Sequence, residues 1–263
     1  MSTRAMMFAA GLSALMFGCG VDAAKSDSSS NETQEIVDNL VQAGFPLDDI
    51  QVVGDKVYTG HDAEVSLAAS REMIQADTAD TEEQYRTTNL LAASITNICV
   101  NGSAFTGTFS TALDGAISNY NALGLQFHMT RTTGSTTGCS ATIAARTTTG
   151  TGGVSGFPSG GLPFNAINIG TGLATGFAVA TVRHVIMHEL GHTIGFRHSD
   201  FFNRAISCGG SASNEGSAGV GAILITGTPS GATVGGSVMN SCFRTTESGQ
   251  FTSTDITALN ALY

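Results

Sequence analysis

The sequence contains few charged side chains and very little lysine. Asp, Glu, Lys and Arg make up 12% of its 263 residues, and Lys25 and Lys56 are the only lysines, whereas glycine occurs 33 times. This composition favours an exported, loop-rich protein over a cytosolic helical protein. The formal net charge of −10 argues against a nucleic-acid partner, because binding to the phosphate backbone depends on positive charge. The segment 171–176 contains glycines but lacks the Lys-Ser/Thr pair of a phosphate-binding loop.

The N-terminal apolar segment is too short for a comfortable membrane span. It covers residues 5–17, whereas a spanning helix needs roughly 20 residues. It follows Arg4 and leads to Cys19 in a pattern that resembles a bacterial lipobox, in which the cysteine is lipidated. We therefore predict a signal peptide over residues 1–19, lipidation of Cys19 as an anchor to a bacterial membrane, and a polar tether over residues 20–35. An ordinary cleaved signal peptide and a retained anchor are the alternatives, and each exports the protein to the cell envelope or the medium.

Acidic residues are concentrated near the N-terminus. Residues 20–83 contain 15 of the 21 acidic residues and three basic residues, a net charge of −12, whereas residues 84–263 contain six acidic and seven basic residues, a net charge of +1. This division predicts a prosegment over residues 36–83 that covers a site in residues 84–263 until it is removed. The alternative is a permanent acidic module that only aids solubility.

The pattern HExxHxxGxxH begins at His188. On a helix, His188 and His192 project from one face about 5–6 Å apart at Cβ, so both imidazoles reach one Zn²⁺ ion. Gly195 allows a turn with positive φ, which brings His198 back as the third ligand and leaves one coordination position open. Glu189 lies beside the metal, within reach of a bound water, without being a ligand. The pattern therefore predicts a zinc site of the catalytic type.

Three segments resemble the metzincin zinc endopeptidases, and in particular the bacterial dual-action HEIGH metallopeptidases. Residues 188–200 (HELGHTIGFRHSD) carry the zinc motif, residues 237–240 (SVMN) resemble the Met-turn, and residues 251–263 resemble the closing helix. The resemblance covers roughly residues 84–263. It implies an α+β fold with a two-lobed catalytic domain, in which a mixed twisted sheet and an active-site helix face a smaller, irregular C-terminal lobe. It also implies an active-site cleft between the lobes and hydrolysis of peptide bonds in a protein or peptide substrate.

The resemblance also implies roles for individual residues. Glu189 is the general base, and Met239 forms a hydrophobic floor under the three histidines. Asp200 orients an imidazole or the turn. Some metzincins carry a tyrosine ligand two residues after the Met-turn methionine, but this chain has Ser241 there. A tyrosine ligand is therefore not predicted.

Two further segments are expected to lie at the active-site cleft. Ile167, Asn168 and Ile169 resemble an edge strand, which in metzincins holds the substrate backbone by β-addition. In the acidic segment, either His61 or Asp62 could occupy the open position, as an aspartate does in some metzincin proenzymes. The case that the sequence favours is the third, in which neither side chain is a ligand.

Four cysteines remain if Cys19 carries lipid. An even number of cysteines in an exported protein predicts two disulfide bonds. The pairs Cys99–Cys139 and Cys208–Cys242 are favoured because each lies within one presumed lobe, while mixed pairing and free buried thiols remain alternatives. Since no cysteine lies between Cys19 and Cys99, a prosegment cysteine that silences the zinc is not expected.

Two other functions compete with a zinc endopeptidase. One is a zinc-binding surface lipoprotein with a structural or adhesive role, which a closed four-ligand site would favour. The other is a metal-dependent hydrolase that acts on something other than peptide bonds. In all three cases we expect a monomer, and the sequence does not reveal a preference for particular substrate side chains.

Overall fold

The computed structural model describes residues 22–75, 84–216, 222–229 and 231–263. The predicted signal peptide and Cys19 lie outside these residues, as do residues 76–83 at the end of the predicted prosegment. We call residues 22–75 the leader and residues 84–263 the body. Within the described part of the chain, no helix combines the length and the hydrophobicity that crossing a membrane requires.

The described ranges form ten short strands and seven helices. The strands are β1 (Gln51–Val53), β2 (Lys56–Thr59), β3 (Ala63–Glu64), β4 (Tyr85–Arg86), β5 (Asn97–Asn101), β6 (His128–Thr132), β7 (Ala141–Thr148), β8 (Gly153–Gly156), β9 (Ala166–Gly170) and β10 (Ile223–Leu224). The helices are α1 (Asp22–Gln42), α2 (Leu67–Met73), α3 (Gly107–Asn121), α4 (Leu173–Gly176), α5 (Val179–Thr193), α6 (Ala205–Cys208) and α7 (Ser253–Leu262).

Eight of the strands form one sheet, in the order β1-β2-β3-β8-β9-β7-β5-β6. Strands β6, β5, β7 and β9 are parallel neighbours, and β8 runs antiparallel to β9. Strand β3 of the leader pairs in parallel with β8 of the body. A mixed, mostly parallel sheet with packed helices is consistent with the predicted metzincin-like fold.

The structure corrects the predicted edge strand. Ile167, Asn168 and Ile169 lie in β9, which is paired with β7 on one side and with β8 on the other. Both isoleucines are fully buried in the main core, which explains why this segment is so apolar. At this end of the sheet the outermost strand of the body is β8 instead. Its sequence, Gly-Val-Ser-Gly, gives almost no strand signal because glycine is depleted in strands.

The main hydrophobic core includes residues of the sheet and of helices α3 and α5, which contact each other. The apolar periodicity of residues 108–123 and 177–194 predicts these two helices, and the structure places them at Gly107–Asn121 and Val179–Thr193. Most of α5 is buried, including its histidines and Glu189. Buried polar groups need hydrogen-bonding or charged partners. Other segments of the chain must therefore supply such partners around the histidines and the glutamate of α5.

The leader has a smaller core of its own. Leu40 of α1, Phe45, Val57 of β2 and Met73 of α2 belong to it, and Phe157 of the body completes it. The leader therefore packs directly on the body as well as extending its sheet. Helix α1 includes residues 22–35, most of the segment that the sequence predicts as a tether.

Two disulfide bonds join the pairs that the sequence favours. Cys99 in β5 is bonded to Cys139 just before β7, with the Cα atoms 5.6 Å apart. Cys208 at the end of α6 is bonded to Cys242, with a Cα separation of 5.1 Å. The second bond fixes the segment after His198 to the segment that follows the predicted Met-turn.

Candidate metal centre

Helix α5 presents His188 and His192 on one face, one turn apart. The Nδ1 atom of His188 is 2.9 Å from the carbonyl oxygen of Val238, and the Nδ1 atom of His192 is 2.7 Å from that of Phe196. A carbonyl oxygen can only accept a hydrogen bond, so both Nδ1 atoms carry the proton and both Nε2 atoms keep a lone pair. The two Nε2 atoms lie 3.1 Å apart in a buried position.

Gly195 turns the chain back towards these two imidazoles. Its φ is 108°, and a Cβ atom there would lie 2.5 Å from the carbonyl oxygen of Asn89. Glycine is therefore required by both conformation and space. The turn brings His198 Nε2 to 3.3 Å from the Nε2 atoms of His188 and His192, so the three imidazoles converge.

The fourth member of the cluster comes from the leader. Asp62 places Oδ2 at 3.1 Å from His198 Nε2 and 3.7 Å from His188 Nε2, and Oδ1 at 3.6 Å from His192 Nε2. Asp62 Oδ1 is buried and has no hydrogen-bond partner among the described residues. The ligand atoms of these four residues all lie within 4.8 Å of one another, so they could hold a metal ion.

Charge in the cluster is balanced by a proton on His198. Burial lowers the pKa of His198, but Asp62 and Glu215 outweigh this effect and raise that pKa well above its usual value. Burial raises the pKa of Asp62, but His198 and His188 reverse the shift and hold it well below its usual value. Burial also lowers the pKa of His192 to about 3, which keeps this ring neutral. Asp62 and Glu215 thus favour a positive charge at this point, which either a proton on His198 or a bound cation would supply.

Glu189 lies beside the cluster with its carboxyl group shielded from water. The residue is 1% exposed, and its Oε2 atom has no hydrogen-bond partner among the described residues. Burial, together with the charge of Asp62, raises the pKa of Glu189 well above its usual value. A buried carboxyl group with a spare oxygen next to a metal centre can take up or release a proton there.

A cavity of about 200 Å³ opens next to Glu189, between α5 and the segment 240–243. His184 and Phe243 form part of its wall. His184 lies one turn before His188, but its Nδ1 atom is near Glu247 Oε2, at 3.7 Å, and it is not part of the four-residue cluster. Burial lowers the pKa of His184 to about 4. The cavity is therefore bordered by a neutral imidazole and has room for a side chain.

Asp200 joins two segments of the chain through hydrogen bonds to its carboxylate. Its Oδ1 atom accepts from the backbone N–H and the hydroxyl of Ser241 at 2.8 and 2.7 Å. Its Oδ2 atom accepts from the hydroxyl of Ser207 at 2.6 Å. These serines precede Cys208 and Cys242, so the carboxylate and the disulfide bond hold the same two segments together. At the position where some metzincins have a tyrosine ligand, Ser241 makes this structural contact.

The predicted Met-turn lies under α5. Met239 is buried, and its Sδ atom would be 2.5 Å from a Cβ atom at Gly191, so the helix approaches the turn closely. Asp255 at the start of α7 accepts from the backbone N–H of Val238 at 3.0 Å. Since the carbonyl oxygen of Val238 lies 2.9 Å from His188 Nδ1, the closing helix supports the position of His188 through this turn.

One charged residue of the centre was missed by reasoning from the sequence. Glu215 Oε1 accepts from His198 Nδ1 at 2.8 Å, and the residue is 1% exposed. It lies 17 residues after His198 in an irregular segment, so no local periodicity connects the two. One feature of the sequence could have pointed to Glu215: acidic residues are rare in residues 84–263, which contain six of them. His61, the other candidate in the leader, is not part of the four-residue cluster; it borders the cavity, and its Nδ1 atom lies 2.7 Å from Gln51 Nε2.

A buried helix with two histidines around a glutamate, a third histidine after a glycine turn and a mixed sheet defines a protein of the metallopeptidase class. A family model described as "Dual-action HEIGH metallo-peptidase" matches residues 57–263. Because this range is most of the chain, the protein belongs to that family. The match begins before residue 84, so it includes Asp62 and the end of the leader.

Solved structures give a weaker likeness. One described as "Crystal structure of myroilysin" is 17% identical, with a TM-score of 0.30, and the match covers 42% of this chain and 47% of that chain. Another, "Structure of Myroilysin", is 14% identical, with a TM-score of 0.28 and coverage of 42% and 45%. The chain thus spans about half the length of these myroilysin chains. No curated protein matches it with significant sequence similarity.

Proposed function

We propose that this protein is a zinc-dependent endopeptidase that hydrolyses peptide bonds in protein or peptide substrates. The observation that carries the proposal is the convergence of His188, His192 and His198 at one point with Glu189 beside it. The family assignment supports a peptidase, and the donor set supports the metal.

The four side chains fit zinc. Tetrahedral ligands at about 2.0–2.1 Å from a zinc ion are roughly 3.3 Å apart, and the three Nε2 atoms are 3.1, 3.3 and 3.3 Å apart. Imidazole nitrogens and a carboxylate oxygen are ordinary zinc ligands. We therefore assign His188, His192 and His198 as permanent ligands and Asp62 as a ligand supplied by the leader.

Glu189 is the proposed general base. When bound, zinc supplies a Lewis acid that lowers the pKa of water towards about 7 and polarises the scissile carbonyl group. Glu189 accepts a proton from the attacking water at its carboxylate and delivers it to the leaving amine. Loss of the Asp62 charge with the leader lowers the pKa of Glu189, which favours the ionised form that accepts this proton.

The substrate backbone is proposed to bind along β8. While the leader is attached, β3 occupies this edge: Ser155 N–H donates to Asp62 O at 3.0 Å and Phe157 N–H to Glu64 O at 3.3 Å. An extended peptide could form equivalent main-chain hydrogen bonds once the leader is displaced. This assignment replaces Ile167, Asn168 and Ile169, which lie one strand further inside the sheet.

The leader is proposed to keep the enzyme latent. It places Asp62 at the fourth coordination position and covers the β8 edge, so it blocks both the attacking water and the substrate. The net charge of −12 in residues 20–83 makes the segment easy to solvate once released. In this proposal residues 36–83 form the prosegment and residues 84–263 the catalytic domain.

A second function is favoured by the same aspartate. A centre closed by four protein ligands is typical of structural zinc sites. If the leader is never removed, the protein would be a zinc-stabilised surface protein. N-terminal sequencing of the exported form distinguishes the two, because an enzyme requires a mature chain that begins after Asp62.

Export as a lipoprotein is also proposed, with Cys19 as the lipidated residue. Two disulfide bonds are compatible with an oxidising compartment. Cys19→Ser should move the protein from the membrane fraction to the soluble fraction. An unprocessed wild-type protein, with residues 36–83 still attached, that is found in the soluble fraction would contradict lipidation.

The test of the enzymatic proposal compares wild type with Glu189→Gln. Both are purified after export, their zinc content is measured, and hydrolysis of casein is followed with and without a chelator. We expect equal zinc content, and a loss of cleavage in the variant of about 10²–10⁴-fold. Equal cleavage by the two proteins, or cleavage that the chelator does not affect, would overturn the assignment.

A further inference from the structure

Glu215 is a fully buried carboxylate that contacts one of the three imidazoles. Its Oε1 atom is 2.8 Å from His198 Nδ1. The other two imidazoles, those of His188 and His192, donate to neutral backbone carbonyl groups. Hydrogen bonds to an ionised acceptor are stronger than those between neutral groups. His198 is therefore held differently from the two ligands on α5.

The surroundings of Glu215 keep it ionised. Arg204 Nη1 donates to its Oε1 atom at 2.5 Å, and Arg197 Nη2 lies 3.6 Å from its Oε2 atom and donates to its carbonyl oxygen at 3.0 Å. A buried carboxylate needs such partners to remain charged.

The orientation of His198 depends more on a side-chain partner than the orientations of His188 and His192 do. His188 and His192 are fixed in direction by α5, whereas His198 follows the turn at Gly195 and lies outside a helix. A carboxylate on Nδ1 fixes which nitrogen carries the proton and where the ring points. Nε2 is then directed at the point where the other two Nε2 atoms meet.

We propose that Glu215 is a positioning residue that holds His198 in its metal-binding orientation and raises the affinity of the centre for a divalent cation. This inference rests on the metal centre of the proposed function. It does not depend on the reaction catalysed there. Partners of metal-bound histidines typically change metal affinity by about 10–100-fold when they are removed.

The test measures Zn²⁺ affinity of the full chain by competition with a chelating dye, without any assay of hydrolysis. Glu215→Gln keeps an oxygen that can accept from His198 but removes the charge, and we expect its affinity to fall by about 10-fold or more. The absorption spectrum of bound Co²⁺ should change as well, because the orientation of a ligand changes. Wild-type affinity together with an unchanged spectrum in Glu215→Gln would overturn the proposal.

Glu247→Gln is the matched control. Glu247 is also buried and also paired with an arginine, Arg244, at 2.8 Å, but it contacts none of the four residues of the cluster. We expect wild-type Zn²⁺ affinity for this variant. An equal loss in both variants would show a general effect of removing buried charge and would overturn the proposed role.

A double-mutant cycle separates positioning from folding. If Glu215 acts through His198, then Glu215→Gln should have no further effect on Zn²⁺ affinity in a His198→Ala background. A loss that persists in that background would overturn the proposal. Circular dichroism and the melting temperature of each metal-free variant show that the fold is present. A chain with this Glu215 dependence that cleaves no peptide would refute the proposed enzyme but not this inference.

Discussion

Gly153 of β8 lies directly against the side chain of Glu189 on α5. A Cβ atom at Gly153 would come within 2.6 Å of Glu189 Cγ and Cδ. The outer strand and the proposed general base are therefore in contact, and the strand fixes the position of the carboxyl group. This contact could not be read from the sequence, where the residues are 36 positions apart.

The first prediction follows from this contact. Gly153→Ala should displace the Glu189 carboxyl group and lower peptide hydrolysis by about 100-fold, since small misplacements of a catalytic group have effects of this size. Zinc content should stay at the wild-type level because no ligand moves. Gly152→Ala is the matched control, since a Cβ atom there meets nothing within 4 Å. Equal activity of the two variants would show that the contact does not position Glu189.

The second prediction concerns latency. Asp62→Ala in the unprocessed chain should open the fourth coordination position and raise hydrolysis of a short peptide by about 10-fold or more. A short peptide is used because β3 still covers part of the β8 edge. His61→Asn changes the exposed neighbour, keeps a residue that tolerates its positive φ of 75°, and should leave the chain latent. Equal rates in both variants and wild type would rule out Asp62 as the blocking ligand.

The third prediction concerns the proton that His198 should release when Zn²⁺ binds. Asp62 and Glu215 raise the pKa of His198 in the metal-free chain, so its bound proton stabilises the fold below the usual histidine pKa of about 6.5. This stabilisation is lost as the pH rises through the higher, folded-state pKa. Between these two values, Zn²⁺ must displace the proton, and binding should release about one proton per site. Calorimetry in two buffers of different ionisation enthalpy measures this number, and release of no proton at about pH 7.5 would contradict the charge assignment.

The fourth prediction concerns the turn after α5. Gly195→Ala should lower the free energy of unfolding by more than about 1–3 kcal/mol, because backbone strain at positive φ adds to the collision with Asn89. Gly124, near the end of α3, also has positive φ, 69°, but has nothing within 4 Å of a Cβ atom. Gly124→Ala should therefore show the strain alone. Chemical denaturation of both variants measures the loss of unfolding free energy in each and so separates backbone strain from the collision. Equal losses in the two variants would show that the collision with Asn89 contributes nothing.

The zinc motif could be predicted because its geometry is local. His188, Glu189 and His192 are placed by one helix, and Gly195 returns His198 within six residues of His192. Helices α3 and α5 follow from their apolar periodicity for the same reason. The family resemblance extended this knowledge to the Met-turn and the closing helix.

The features that could not be predicted from the sequence depend on contacts between segments that are distant along the chain. Asp62 reaches the centre only because β3 pairs with β8, and neither strand has the alternating apolar pattern that would reveal it. The apolar side chains of Ile167 and Ile169 are compatible with a strand at the edge of the sheet and with a strand inside it. Only the pairing of β8 with β9 shows that their strand lies inside the sheet. Glu215 lies in an irregular segment whose path is set by burial of Arg197 and by the disulfide bond between Cys208 and Cys242.

The parallel pairing of β3 with β8 has a consequence for the moment of activation. The N–H groups of Ser155 and Phe157, which hold the leader at 3.0 and 3.3 Å, become unsatisfied donors as soon as it departs. An open strand edge attracts any extended chain, including a neighbouring copy of the same molecule. If the protein is processed to an endopeptidase as proposed, the freshly processed molecules should therefore be vulnerable to self-digestion, and a high local concentration of them would increase that loss.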